Sequence, residues 1–199
     1  PAPAFPAPAA APAASPRAAA LRSLPLLQRA DVTFLRKTGC VSCHNNSLTA
    51  MTLALARPRK LPFDEAIAAE QIRKTAAYLD DWRERTLQGH GIPGDVDSVG
   101  YILMGLAAER HAPDAATDAM ARFVRLQQSA NGSWRQLAHR PPIESSEIEV
   151  TVSAIRSLQV YAPAWERAAA DAAIGRAVAW LKQAAPQSNE DHVFRLLGF

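Results

Sequence analysis

Two cysteines and a histidine, in the run Cys40-Val41-Ser42-Cys43-His44, form the pattern in this chain that points to one particular chemistry. Thiols separated by two residues can add to the two vinyl groups of one haem, and the histidine that follows then binds the iron as its proximal ligand. Cys40 and Cys43 are the only cysteines of the chain, so the pattern uses every thiol that the protein has. It therefore predicts one covalently attached haem c with His44 on the iron.

The same residues leave three other interpretations open. A redox-active Cys-x-x-Cys pair at a helix start is one, although that motif usually lies in a βαβ unit and no strand pattern occurs here. A zinc site is another, but without further cysteines it would need His90, His139 or an acidic residue as additional ligands. A disulfide between Cys40 and Cys43 would close a very short loop, which is sterically awkward.

Two loop histidines are the candidates for the sixth, distal ligand of a haem iron. His139 lies in a loop stiffened by two prolines, and His90 stands between two glycines. The three methionines are weaker candidates, because each falls within a predicted helix where it is expected to pack. Iron with a methionine or with no sixth ligand stays an alternative. Arg140 follows His139 directly and is a candidate for contact with a haem propionate, or for a surface pair with Glu144.

The composition favours a helical domain and excludes some partners. The chain has 199 residues, with 22 Lys and Arg against 19 Asp and Glu, so its formal net charge is +3. Acidic and basic residues are interleaved, which gives no phosphate-binding surface and predicts no nucleic-acid partner. No apolar run reaches about 18 residues, the length that would predict a membrane span. Alanine, leucine and arginine dominate and no segment alternates with period two, so we expect an all-α fold.

The chain divides into a linker, residues 1–22, and a helical domain, residues 23–199. The first 20 residues contain 6 prolines and 11 alanines, a composition typical of an extended, semi-rigid linker. Ser23 is the expected N-cap of the first helix, with Pro25 in its first turn. We expect the linker and the helical domain together to be a tethered part of a longer protein.

Capping residues mark the other predicted helix starts, and these starts repeat. The expected caps are Ser47, Asp64, Asp97, Asp114 and either Ser145 or Ser146. Short apolar helices starting near Ser47, Ser98 and Glu149 follow one another at intervals of 51 residues and alternate with longer, charged helices. This pattern is typical of stacked helical hairpins with an inner apolar layer. The inner helices would all run in one direction. The loops that precede them would therefore lie at one edge of the stack, the rim, and both cysteines belong to these loops.

A second motif links the repeat to a known architecture. Gln127 or Gln128, Gly132 and Trp134 resemble the Gln…Gly-x-Trp motif of the squalene cyclase and prenyltransferase superfamily, and this resemblance implies a partial α/α toroid. The catalytic motifs of that superfamily are missing. The segment Asp95–Ser98 is one carboxylate short of the cyclase Asp-x-Asp-Asp motif, and the separated zinc ligands of the prenyltransferases have no counterpart. We therefore expect an electron carrier or binding module rather than an enzyme.

From about residue 24 to the last residue, the chain also resembles a bacterial module of ankyrin-linked or otherwise tethered proteins. Gly39–His44 and the loop His139–Ser146 carry that resemblance. Together these observations predict a single-haem, c-type cytochrome-like module that is periplasmic or otherwise exported. Its partner would be a redox protein or a larger membrane-associated electron-transfer complex. The alternative is a haem-free toroid module that binds a protein or an apolar ligand.

Overall fold

The computed structural model describes residues 15–137 and 146–199, and these residues form helices joined by short loops, without a β-strand. The prediction of an all-α fold is confirmed. The helices are α1 Pro16–Thr38, α2 Leu48–Ala56, α3 Glu65–Leu87, α4 Asp95–Ala108, α5 Ala115–Leu126, α6 Glu147–Tyr161, α7 Arg167–Gln183 and α8 Asn189–Leu197. A π-helical turn, Cys43–Ser47, leads directly into α2. Within the described segments, no helix has both the length and the apolar character needed to cross a membrane.

Several helix starts follow from local capping as predicted. The Asp64 carboxylate accepts a hydrogen bond from the Ile67 amide at 2.9 Å, which satisfies one of the free N–H groups at the start of α3. Asp114 does the same for α5 and forms a reciprocal capping box with Thr117. Ser146 caps α6. These short-range bonds define the starts of three of the helices.

The first helix begins earlier than predicted. Ser15, not Ser23, is its N-cap, and the Ser15 hydroxyl accepts from the Ala18 amide at 3.1 Å. Pro16 occupies a first-turn position, where its missing N–H costs nothing, and the alanines that follow have high helix propensity. Residues 16–22 are therefore helical rather than extended linker, and Pro25 lies inside α1. Residues 1–14 of the expected linker lie outside the described part of the chain.

Asp97 is not the cap of α4. Gly94 holds that position with a φ of 89°, so α4 begins three residues earlier than expected. Asp97 instead lies in the first turn and is buried, and its carboxylate accepts a hydrogen bond from the Leu137 amide at 3.1 Å. This hydrogen bond of Asp97 holds the segment after Trp134 against the start of α4.

The helices pack in the order of the predicted repeat. Helix α2 packs on α4, α4 on α6 and α6 on α8, while the charged helix α3 packs on α5. The main core lies between these elements, and its fully buried side chains include Leu79, Val99, Ile102, Met120 and Leu158. A smaller apolar cluster joins α1, α2 and α3.

Contacts at both ends show that neighbouring inner helices run in the same direction. At the C-terminal ends, Arg57 after α2 pairs with Glu109 after α4 at 3.0 Å, and the Tyr161 hydroxyl of α6 donates to the His111 carbonyl at 3.2 Å. At the N-terminal ends, a hydrogen bond joins the Asp191 side chain of α8 to Ser146, the cap of α6. The N-terminal ends of α6 and α8 therefore lie side by side.

The glutamine–glycine–tryptophan motif holds three helices together. The Gln128 side chain, rather than that of Gln127, donates to the Gly132 carbonyl at 2.9 Å and to the Ala173 carbonyl of α7 at 2.8 Å. Gly132 has a φ of 96°, and a Cβ there would lie 2.6 Å from a main-chain oxygen of α7. Trp134 is completely buried, and its indole N–H donates to the Val124 carbonyl of α5. The motif therefore has a structural role.

Candidate haem-attachment site

The cysteine motif lies in a connection that reverses the chain between α1 and α2. Gly39 ends α1 in the left-handed region, with a φ of 64°, and its amide donates to the Leu35 carbonyl at 2.9 Å. The Thr38 hydroxyl accepts from the Cys40 amide at 3.1 Å, and the Ser42 hydroxyl accepts from the Asn45 amide at 3.1 Å. The second cysteine and the histidine consequently stand in the first turn of the helical segment that continues as α2.

The two cysteines are not joined in a disulfide, and their thiols have different surroundings. Cys40 is half-buried, and its sulfur lies 3.7 Å from the Tyr78 hydroxyl of α3. Cys43 is only 3% exposed, and its sulfur lies 3.3 Å from Nδ1 of His44. That contact leaves Nε2 of His44 without a hydrogen bond to any described residue. The second ring nitrogen is therefore the one available to a metal.

A buried polar pair, which the sequence patterns did not reveal, anchors the motif to α1. The Asn46 side chain accepts from the Ser42 amide at 2.8 Å and donates to the Asp31 carboxylate and to the Asp31 carbonyl. Asp31 is 3% exposed, and this burial raises its pKa to about 6, although the hydrogen bond from Asn46 acts in the opposite direction. The pair fixes the distance between the motif and the middle of α1.

Tyr78 is a second residue that sequence reasoning missed. Its side chain extends from α3 to Cys40, and burial together with the neighbouring thiol raises its pKa well above the ordinary tyrosine value. Its ring lies 6.4 Å from that of Trp82, measured between centroids. A tyrosine 38 positions away on another helix carries no sequence signal that would connect it with the cysteine.

A cavity of about 380 Å³ opens beside this tyrosine, between α1 and α3. Gly39 and Tyr78, the two residues that border Cys40, belong to its wall. Its complete lining is Val32, Leu35, Arg36, Gly39, Gln71, Lys74, Ala77, Tyr78 and Asp81. It is thus an apolar cleft with charged residues at its edge, and it adjoins the first cysteine of the motif.

On the other side, the second cysteine faces the inner helices. Tyr101 of α4 is 1% exposed and Glu149 of α6 is completely buried. The pKa of Tyr101 is raised by burial, and further by the negative charges of Glu149 and Glu190 and by Cys43. Tyr101 of α4 therefore lies near Cys43, and Glu149 of α6 and Glu190 of α8 lie near Tyr101.

Of the two predicted distal ligands, the structure describes only His90. His90 follows α3, its side chain is exposed, and its amide donates to the Arg85 carbonyl at 2.9 Å. His139 and Arg140 lie outside the described residues, as does Glu144. Met120 is buried in the main core, as expected.

In the described segments, no group of three or more histidine, cysteine, aspartate or glutamate side chains could hold a metal ion. Of the interpretations considered above, zinc therefore receives no support from these residues. The structure contains no disulfide between Cys40 and Cys43.

No family model, curated protein or solved structure matches the chain.

The chemistry of the donor set fits a covalently attached haem. The two cysteines are not joined in a disulfide and have the spacing that two thioether bonds require. Nε2 of the adjacent imidazole makes no hydrogen bond within the described residues. Cys40 also borders an apolar cleft. Cys43 is less accessible, so a thioether at its sulfur requires the connection between α1 and α2 to be open when the bond forms.

Proposed function

We propose that this chain is a single-haem, c-type cytochrome-like module for electron transfer. Cys40 and Cys43 would hold the group through thioether bonds, and His44 would ligate the iron through Nε2. The observation that carries the proposal is the pair of cysteines, not joined in a disulfide, in front of a histidine whose Nδ1 contacts the Cys43 sulfur. When bound, haem supplies reversible one-electron chemistry at its iron.

The protein's own residues would hold the haem in position and surround its edge with a medium of low dielectric constant. Gly39, Ser42 and Asn46 fix the backbone around the motif through the hydrogen bonds described above. The Cys43–His44 contact sets the orientation of the imidazole, a role that hydrogen bonds to the second ring nitrogen commonly have in metal sites. The apolar cleft beside Cys40 would exclude water from the cofactor edge.

We further propose that the hairpins form a partial α/α toroid and that the module works outside the cytoplasm. The successive packing of α2, α4, α6 and α8 supports the toroid. Export is expected because covalent haem attachment takes place outside the cytoplasm. The partner would be a redox protein or a membrane-associated electron-transfer complex, to which the Ala/Pro-rich segment would tether the module.

Covalent attachment is tested by the mass of the denatured protein. The chain is exported in a bacterial host with a c-type cytochrome maturation system, and intact mass and reduced-minus-oxidised spectra are recorded. We expect a mass increase of one haem in the wild type and none in the Cys40→Ala, Cys43→Ala double variant. His44→Ala should keep the mass but change the spectrum, whereas the matched variant His192→Ala, at an exposed histidine of α8, should change neither. Colourless wild-type protein with two titratable thiols would contradict the proposal.

A haem-free binding module is the second candidate, and one surface feature favours it. Leu196, Leu197 and Phe199 at the end of α8 are 77%, 68% and 64% exposed, and they adjoin a cavity of about 360 Å³ between α6 and α8. Exposed apolar groups of this size often mark binding surfaces. Lipid that copurifies with colourless protein would support this candidate.

A further inference from the structure

The cleft between α1 and α3 has a composition that selects for a particular kind of ligand. Its walls are formed by apolar groups, among them Val32, Leu35 and Ala77. Its edge carries two cations, Arg36 and Lys74, and one anion, Asp81. An apolar wall with a net positive edge suits a flat apolar molecule with carboxylate groups at one side.

The two cations are available to such carboxylates. Arg36 is exposed in the last turn of α1 and makes no ion pair with any described residue. Lys74 pairs with Glu70 at 3.3 Å, but both side chains are about half exposed, and an exposed pair of this kind contributes little and exchanges readily. Gln71 is 4% exposed and lines the same cleft. The N–H groups of its side-chain amide can donate to a carboxylate.

We propose that this cleft receives the propionate-bearing edge of the haem and that Arg36 and Lys74 pair with the propionates. The inference rests on the proposed function. The course of the cleft supports it. Gly39 and Tyr78 place Cys40 at one end of the cleft, and the vinyl groups of haem lie on the edge opposite the propionates. A haem joined to Cys40 would therefore direct its propionates away from this thiol, along the cleft towards Arg36 and Lys74. The guanidinium can bind a carboxylate with two parallel hydrogen bonds, whereas the ammonium acts as a point charge.

Pairing of this kind has a redox consequence. The reduced cofactor carries one positive charge fewer than the oxidised cofactor, so nearby cations favour the reduced state. Removal of either cation should therefore lower the midpoint potential. High salt should diminish the difference, since the edge of the cleft faces solvent.

The test compares Arg36→Gln and Lys74→Gln with Lys37→Gln. Lys37 is the matched control, because it is an exposed cation in the same last turn of α1 and does not line the cleft. Each protein is produced as the exported haem-bearing form, its covalent mass is measured, and its midpoint potential is determined by redox titration at low and high salt. We expect all three variants to carry one haem, and only Arg36→Gln and Lys74→Gln to show a clear downward shift.

The outcomes separate the two proposals. Haem in every variant, with Arg36→Gln and Lys74→Gln at the same potential as Lys37→Gln, overturns the placement of the propionates and leaves the proposed function intact. Wild-type protein without covalent haem overturns the proposed function itself, and with it this inference. A third variant, Leu35→Trp, fills the apolar wall and should alter the visible spectrum if the cleft holds the macrocycle edge; an unchanged spectrum contradicts the placement.

Discussion

The buried Asp31 carboxyl should make the stability of this protein depend on pH in an unusual direction. Its pKa is raised from an ordinary 3.8 to about 6, chiefly by burial. A carboxyl whose pKa is raised on folding binds its proton more tightly in the native state than in the unfolded chain. Its contribution to stability is therefore fully present below pH 3.8 and is lost as the pH rises through about 6.

The size of the effect follows from the same two pKa values. A difference from 3.8 to about 6, at about 1.36 kcal/mol per pH unit, corresponds to about 3 kcal/mol of unfolding free energy lost between acidic and neutral pH. Asp31→Asn removes the ionisation and keeps an oxygen that can accept from the Asn46 side chain. The variant should therefore be up to about 3 kcal/mol more stable than the wild type at pH 7.5, and not more stable at pH 3.5.

Urea denaturation of both proteins at several pH values measures this difference directly. All other titrating groups are common to the two proteins, so their contributions cancel when the free energies of unfolding are subtracted. The difference should rise between about pH 4 and 6 and then remain constant. A difference that does not change with pH would refute the argument, because it would mean that the carboxyl titrates alike in the folded and unfolded states.

Three further predictions concern the motif and the core. Thiol labelling of the haem-free folded protein should be fast at half-buried Cys40 and slow at Cys43, which is 3% exposed; equal rates would contradict the described burial. Trp134→Ala should lower the free energy of unfolding by about 3–5 kcal/mol, as measured by urea denaturation, because the indole is completely buried. Gly132→Ala should be destabilising by more than about 1 kcal/mol, since the φ of 96° and the oxygen 2.6 Å from a Cβ both oppose it. Gly175→Ala, inside α7 with nothing within 4 Å, should instead be neutral or stabilising, and the reverse order of the two glycine variants would be inconsistent with the described backbone.

Local interactions explain which helix starts could be predicted from the sequence. Asp64 and Asp114 cap their helices through bonds to amides three residues away, so the sequence pattern contains the whole interaction. Asp97 has the same local pattern, but Gly94 adopts a positive φ that starts α4 earlier, and the carboxylate is used instead by Leu137, 40 residues along the chain. Ser15 was missed because proline-rich composition suggested a linker, whereas a proline in the first turn favours a helix.

The same distinction applies to the candidate site. The cysteine and histidine spacing is a local pattern, and it located the motif without any knowledge of the fold. Asp31 and Asn46 are 15 residues apart, and Tyr78 lies 38 residues from Cys40, so only the packing of α1 and α3 against the motif brings them together. No periodicity or spacing rule connects residues that meet through tertiary packing alone.

The unequal burial of the two thiols constrains how the proposed cofactor could be attached. Cys40 borders a cleft that is open to solvent, but Cys43 is buried beside its own histidine and near Tyr101 of α4. The hydrogen bonds of Asn46 to Ser42 and Asp31 hold the connection in this closed form. A thioether at Cys43 must therefore form before these bonds do, so attachment should precede the docking of the motif onto α1. On this argument, the Asp31–Asn46 pair closes the site after attachment.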